Sequence, residues 1–510
     1  MLTPEPGDPG GRFRLSAGSF DRYSATLEGG NGTARGGLHV LDDGGYREDS
    51  GALQVKGFGK VKLGETTLRI AGQHLEQETA GYILGDEAYA DDALRRSNPN
   101  PEAFRDLDHL LLSAEIPFAA AGWEGTITPF ARYTQMDFLL HFFPGDPLEE
   151  NEHGSIGFQS TASRSLSAEV ELLAGLDLDL TRGSLREFQE NETVFSFTQG
   201  LHYDYTVDAV EAAPFARLSW QAADNLTLQA GGRVTVTRYD YETDAEAGVF
   251  GRYFRPEDRT DEFGVVTGKL AALYELGPNG TVYASLARGA RPPQTSELYR
   301  LQSAQTPDGI DPERMDAIEL GWRKASERGR IAVTGFAMRK ENVFFRDADG
   351  FNVTDGETTH VGIEAEGLLR LTDTLSLSGA GTWAAHEYGF DRIVSDASEI
   401  IRDGDRVDTA PKTLGSAQLR WTPVPELTLE AAYTHVASYY TNAANTQDYE
   451  GHDLLDLRAS WSPAERLTIL GIVRNVTDER YARRADYAFG NARYFPGEER
   501  AYEVNLTVAF

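Results

Sequence analysis

The side chains of this 510-residue chain that could do chemistry are scattered rather than gathered. Its ten histidines are dispersed, without a His-Glu-x-x-His pair, and neither Gly-x-Ser-x-Gly nor a phosphate-cradling Gly-x-x-x-x-Gly-Lys loop occurs. Metal-assisted hydrolysis, serine acyl transfer and nucleotide hydrolysis therefore find no motif, and no enzyme is expected; the alternative, an outer-membrane barrel hydrolase, would require Ser, His and an acid to meet on one wall. Carboxylate pairs abound, but 80 Asp and Glu against 48 Lys and Arg make such coincidences inevitable. Asp347-Ala-Asp349-Gly350 opens like a calcium loop, yet Asn352 stands five residues on and no spaced Glu follows in frame, so a turn is expected. Gly29-Gly-Asn-Gly-Thr33 lacks a Lys and a following helix and reads as a hairpin. Arg288, Arg291 and Tyr299 form a better set. Guanidinium and phenol groups suit an anionic, aromatic ligand, the alternative being that they satisfy one another or a neighbouring strand. Tyr82, Tyr89 and Phe104 in one polar stretch, and Phe142 and Phe143 in another, are candidate aromatic contacts or plain loop packing.

Strands must position these residues, because period-two alternation recurs almost throughout. Leu166, Ala168, Val170, Leu172, Ala174, Leu176, Leu178 and Leu180 share one face, and Ser167, Glu169, Glu171, Asp177 and Asp179 share the other. An apolar side opposite an acidic side suits lipid outside and water inside. Leu427 to Tyr439, Val266 to Leu276, Leu375 to Trp383 and Tyr502 to Phe510 alternate likewise. Tight turns at Leu63-Gly64-Glu65, Asp224-Asn225, Gly277-Pro278-Asn279-Gly280, Thr372-Asp373-Thr374 and Pro423-Val424-Pro425 join strands in pairs. Between the pairs lie longer polar loops: Tyr82 to Asp106, Phe142 to His153, Tyr241 to Asp261, Leu301 to Asp311 and Gly389 to Asp408. Short turns on one rim and long loops on the other describe an all-β, antiparallel transmembrane barrel of about 22 strands, with short periplasmic turns and long extracellular loops. Tyr439-Tyr440, Trp421, Trp461 and Tyr481, toward strand ends, are expected at the level of lipid headgroups.

Composition agrees. Hydrophobic residues are 40 % of the chain and no run of about twenty apolar residues occurs, which excludes a helical span but not strands of about ten residues. The absence of cysteine rules out disulfides and thiolate metal sites. A formal charge of -32 argues against nucleic acid, whose phosphates demand a Lys/Arg stripe. No cofactor is expected. No basic region followed by an apolar core opens the chain, so no export signal is present in it, and the expectation is a trimmed chain or a start internal to a longer gene.

Several segments resemble landmarks of TonB-dependent receptors. Gly11-Arg-Phe-Arg-Leu-Ser-Ala-Gly-Ser-Phe20 resembles the family's first barrel strand, and Glu5-Pro-Gly resembles the link that follows its plug. Ala287-Arg-Gly-Ala-Arg-Pro-Pro-Gln-Thr-Ser-Glu-Leu-Tyr299, followed by Pro312-Glu-Arg-Met-Asp-Ala-Ile-Glu-Leu-Gly321, is similar to the mid-barrel signature. Arg474-Asn-Val-Thr-Asp-Glu-Arg-Tyr481 and Tyr494-Phe-Pro-Gly-Glu-Glu-Arg-Ala-Tyr502 resemble the C-terminal box. The resemblance implies an outer-membrane location, with residues 1–11 a residual link and 12–510 the barrel. It implies uptake of a scarce nutrient, above all a ferric siderophore, with lipid and lipopolysaccharide around the wall. Tyr502, Val504, Leu506, Val508 and Phe510 would then form the signal read by the barrel-assembly machinery. Energisation through TonB requires a plug and coupling box, which this sequence does not contain. Without a plug so wide a barrel is expected to be a pore, weakly cation-selective through its inward acidic residues.

Overall fold

A computed structural model describes residue 7 and residues 9–277, 280–488 and 490–510, so Glu5, Pro6, Pro278 and Asn279 of the segments above lie outside the described residues. Antiparallel ladders join 22 strands in sequence order, and the first strand, Gly10–Gly18, pairs with the last, Ala501–Ala509. Gly11 and Phe510 exchange backbone hydrogen bonds of 2.8 and 2.9 Å at the seam. Closure leaves the barrel sheet without an unpaired edge, the condition for a sheet in lipid.

Side chains obey the two-residue period. Leu15, Leu27, Ile70, Val266, Leu286, Ile318 and Val504 stand exposed on the outer face, while the residues between them turn inward. The expected strand at 166–180 starts later and runs further: residues 166–169 form a connection, and the strand runs Val170–Gln189. Leu166 and Ala168 therefore end the hairpin rather than begin the apolar face. At the opposite rim the connections 79–103, 292–312, 389–412 and 475–500 are long, against 64–65, 224–225 and 425–426 on the short-turn rim. Both described termini lie at the short-turn rim, as an even strand number requires. Asp347-Ala-Asp349-Gly350 makes a turn, with Gly350 at φ 85° and Asp347 accepting from the Phe351 amide. Asn31 Oδ1 caps the hairpin after Gly30 by accepting from Thr33 and Ala34.

Glycines let aromatic rings lie flat on the inner wall. A Cβ on Gly321 would fall 2.2 Å from the Tyr283 ring, and one on Gly175 would fall 2.4 Å from Phe215, so each glycine's missing side chain is the seat of a neighbour's ring.

The inner wall is not acidic, contrary to the expected lining. Arg132 pairs with Asp179, Arg233 with Asp177, and Lys269 stands near Glu319, while Lys56, Lys60 and Lys62 share the inward side of strand Ala52–Leu63. Acid and base interleave because a charge on a partly desolvated wall needs a partner. The outer face also carries charge beyond the lipid band toward the long loops, as Arg182–Asp208, Arg288–Asp316 and Arg339–Glu357. Trp421 and Trp461 are exposed near the short-turn rim, where headgroups would lie. Tyr481 is buried among the loops instead, and Tyr439 packs against a loop cluster, so neither joins an outer girdle.

Candidate functional site at the long-loop mouth

Two strands supply the floor of the site. Tyr203 and Tyr205 on Gly200–Ala223, and Tyr239 and Tyr241 on Leu226–Thr243, alternate with outward residues and so project inward at the long-loop end. The chain then turns from strand Gly280–Arg291 through Pro292 and Pro293 into a one-turn helix, Thr295–Tyr299. Proline before the helix cannot continue the ladder and presets the backbone for a turn. Gln294 and Glu297 form a reciprocal capping box at its start. The helix packs Leu298 and Tyr299 into the tyrosines, with Val207 and Tyr253 completing a buried cluster. Tyr299 stacks on Tyr241 at 4.3 Å and donates to Asp261 at 2.9 Å.

Arg300, next after the helix, anchors this segment to the wall. Its guanidinium donates to Glu149 at 2.7 Å and to Glu187, both buried, and Glu187 also meets His202 Nδ1 at 2.8 Å. Burial opposes the Arg300 charge, but Glu187 and Glu149 overturn that opposition and hold its pKa well above the ordinary arginine value. Tyr203 donates to the Leu301 carbonyl at 2.9 Å. Residues 292–302 are thus a strut fixed inside the mouth by aromatic burial and charge-assisted hydrogen bonds.

Two guanidinium groups beside the strut have neutral hydrogen-bond partners. Arg252 donates to neutral oxygens, Gln302 Oε1 at 3.0 Å and Ser196 Oγ at 3.3 Å, and lies 4.1 Å above the Phe197 ring. Arg346 donates to Asn352 Oδ1 at 3.3 Å and stands within electrostatic reach of Arg252, Arg300 and the Glu187 carboxylate. Among the described residues no carboxylate forms an ion pair with either of them. From Phe197 the rings continue to Phe143 at 5.8 Å and Phe142 at 4.6 Å beyond. Phe195, in a left-handed conformation at φ 54°, is 90 % exposed at the tip of loop 190–199. Guanidinium groups without an ion-pair partner, bordered by aromatic rings, can take a ligand that is both anionic and aromatic.

The residues singled out from sequence distribute unevenly about this mouth. Phe142 and Phe143 belong to it. Arg291 faces inward but is spent on the strut, pairing with Glu297 at 2.8 Å and Glu313 at 2.9 Å. Tyr299 is fully buried, and burial with Asp261 beside it raises its hydroxyl pKa, so it packs rather than presents a surface. Arg288 shares the outer face with Leu286 and forms a bidentate pair with Asp316 at 2.7 and 2.6 Å, so it does not line the lumen. Phe104 is the first residue of strand Phe104–Ala120, not a loop residue, and shares the outer side with Leu110 and Leu112. Tyr89 is buried against Tyr449 and Tyr494, where the 79–103 and 475–500 loops pair through a small sheet. Tyr82, half-buried, lies under the Arg493 guanidinium at 4.8 Å. The reading missed Arg252, Arg300 and Arg346, although the Tyr-Asp-Tyr alternation at 203–205 and 239–241 marked the wall they lean on.

Comparison with known proteins gives this architecture its lineage. The family model described as TonB dependent receptor-like, beta-barrel matches residues 13–476. A probable TonB-dependent receptor of Bordetella pertussis, BfrD, is 26 % identical over 206 residues, covering 38 % of this chain and 26 % of that protein. The catecholate siderophore receptor Fiu of Escherichia coli is 22 % identical over 259 residues, 48 % of this chain and 33 % of its own length. The chain thus spans about a quarter to a third of these curated relatives. In structure it is similar to Fiu, with a TM-score of 0.76 and 16 % identity over 99 % of this chain and 82 % of that one. The ferric yersiniabactin uptake receptor FyuA of Yersinia pestis also has a TM-score of 0.76, with 17 % identity over 100 % and 81 %. With 22 strands closed in sequence order and a family match over most of its length, the chain is an outer-membrane barrel belonging to the TonB-dependent receptor family.

Proposed function

We propose that the chain is the barrel of an uptake receptor whose ligand is a ferric siderophore, energised through TonB in the full-length protein. One observation carries the choice of ligand: in a chain of formal charge -32, Arg252 and Arg346 stand at the mouth without an ion-paired carboxylate, beside Phe197 and Phe143. An anionic iron chelate with aromatic arms would supply the missing negative charge and stack on the rings. Fiu is described as a ferric-catecholate import receptor and FyuA as a ferric yersiniabactin uptake receptor, which supports an iron chelate as the ligand. The reading is transport without a catalytic step. Tyr502, Val504, Leu506, Val508 and Phe510, which present a continuous lipid-facing edge, serve in it as the segment read by the barrel-assembly machinery, and the outer Arg–Asp and Arg–Glu pairs meet the lipopolysaccharide headgroups.

The test is a fluorescence titration of the folded chain with ferric catecholate, hydroxamate and citrate complexes. At least one aromatic chelate is expected to bind, with Arg252→Ala and Arg346→Ala each weakening it about tenfold, the scale of one charge-assisted contact. Binding that is equal in both variants and in the parent would refute the site. A passive pore is the second reading, favoured by lumen side chains such as Arg233 and Asp177 that stay partly in water. Its charge-balanced wall gives little selectivity, so bilayer recordings should find conductance with a reversal potential near zero in a salt gradient, and a folded barrel that conducts nothing would exclude it.

A further inference from the structure

Away from the mouth strut, the inner wall brings two imidazoles together. His360 and His386 are register partners on strands Asn352–Arg370 and Leu375–Tyr388. Both lie on the lumen side, since Val361, Ile363 and Trp383 occupy the exposed outer positions beside them. Their Nδ1 atoms are 2.7 Å apart and their ring centroids 5.0 Å apart. The other nitrogen of His360, Nε2, lies 2.9 Å from Thr358 Oγ1. On the next strand, Met338 is the register partner of His360, so Met338, His360 and His386 form one row across three neighbouring strands. The chain contains only four methionines, and a second one, Met315, lies two positions along from Ala317, the partner of Met338 on the following strand.

We propose that this row is a lumen-facing binding site for a divalent transition metal, with Cu(II) the ion it fits best. The geometry is that of two ligands on adjacent corners. Two imidazole nitrogens each about 2.0 Å from one metal, at a right angle, stand about 2.8 Å apart; the two Nδ1 atoms are held near that separation by their hydrogen bond, and on binding each ring turns so that its lone pair points at the ion. Right-angle nitrogen ligation belongs to tetragonal Cu(II) or Ni(II) rather than to tetrahedral zinc, and Cu(II) heads the affinity order for such donors. Thr358 supports the same reading. With His360 Nε2–H donating to Thr358 Oγ1, Nδ1 carries no proton and keeps a lone pair for ligation, and Thr358 supplies the orienting contact that metal-bound histidines use. In the empty site His386 donates its Nδ1–H to that lone pair. On metal binding the His386 proton moves to Nε2, so both rings ligate as neutral imidazoles and no net proton is released. Lys340, two positions from Met338, pairs with Glu313 at 3.4 Å, a carboxylate that offsets its charge beside the pair. Among the described residues no three His, Asp or Glu side chains gather in a metal-holding set, so water from the lumen fills the remaining corners and the ion stays exchangeable. The thioether of Met338 at the same height gives the site a softer donor for the reduced ion.

The site does not depend on the chelate reading at the mouth, and its test is separate. The folded chain in detergent is titrated with CuCl2 and followed by electron paramagnetic resonance and visible absorption. One equivalent is expected to bind with a spectrum split by two nitrogen donors. His360→Gln and His386→Gln, which keep the wall's polarity and volume, are each expected to weaken binding at least tenfold and to remove one nitrogen coupling. Thr358→Val is expected to weaken it about tenfold with both couplings kept. His435→Gln, on the outer face beside Asp453, is expected to change nothing. The unsubstituted chain gives a reading that survives any folding failure in the variants: an oxygen-only copper spectrum overturns the site, as does unchanged affinity in both histidine variants.

Discussion

Arg300 shows how one residue can settle the shape of the mouth. Its guanidinium is the counter-charge for two buried carboxylates, Glu149 and Glu187. Removing one partner of a buried pair costs about 3–5 kcal/mol because the remaining charge stays desolvated. Arg300→Ala is therefore expected to release residues 292–302 from the wall, read as faster backbone hydrogen exchange there with the wall strands unchanged. Arg300→Lys keeps the charge but cannot serve two carboxylates with a planar fork, so it should fall between the two. Gly321 makes the complementary case, a side chain that must be absent. Gly321→Ala puts a methyl into the Tyr283 ring and should lower stability by about 1–3 kcal/mol, measured as a shift in the urea midpoint. At this scale the sequence was legible where periodicity applies. Arg288 and Arg291 are three apart on a strand, so one had to face out if the other faced in. Arg252 and Arg346, far apart in the chain, meet only through loop folding, and no local pattern announces that.

Among the elements, the loop 389–412 carries the clearest dependence on pH. Burial, with Asp408 and Asp396 adding repulsion, pushes the Glu399 carboxyl up to about 7, and burial raises Asp408 as well. A carboxyl whose folded pKa lies above its unfolded value favours the folded loop most below that unfolded value, and the advantage is lost as pH rises through about 7. Backbone exchange across 389–412 should accordingly quicken between pH 5 and pH 8, beyond the intrinsic rise. Glu399→Gln should flatten that change, and a loop whose protection is equally pH-dependent in the variant would contradict the assignment. The elements themselves were well marked by alternation and turn residues. Their limits were not: Phe104 begins a strand and residues 166–169 leave one, because ladder pairing across the sheet, not propensity, decides where a strand ends. Loop interiors were the least legible, since the cluster around Tyr89 and the strut around Tyr299 draw partners from distant segments.

For the molecule as a whole, the architecture follows from the lipid-facing side chains. Leu506, between Leu15 and Ile469 across the seam, is expected to cost about 2–4 kcal/mol on replacement by Arg if it lies near the bilayer midplane, read in vesicles by denaturant titration. The closed 22-strand form was visible in the chain's pattern, whereas the balance of charge on the inner wall was not. Net acidity belongs to the whole sequence, and only strand register divides it between lumen, outer rim and loops. The central claim, uptake of an iron chelate, is tested most directly by growth under iron limitation in a strain lacking the full-length gene, with candidate siderophores supplied one at a time. The account predicts that growth fails on at least one aromatic ferric siderophore and returns with the intact gene but not with one carrying Arg252→Ala and Arg346→Ala. Equal growth of the deletion strain and its parent on every siderophore would contradict it.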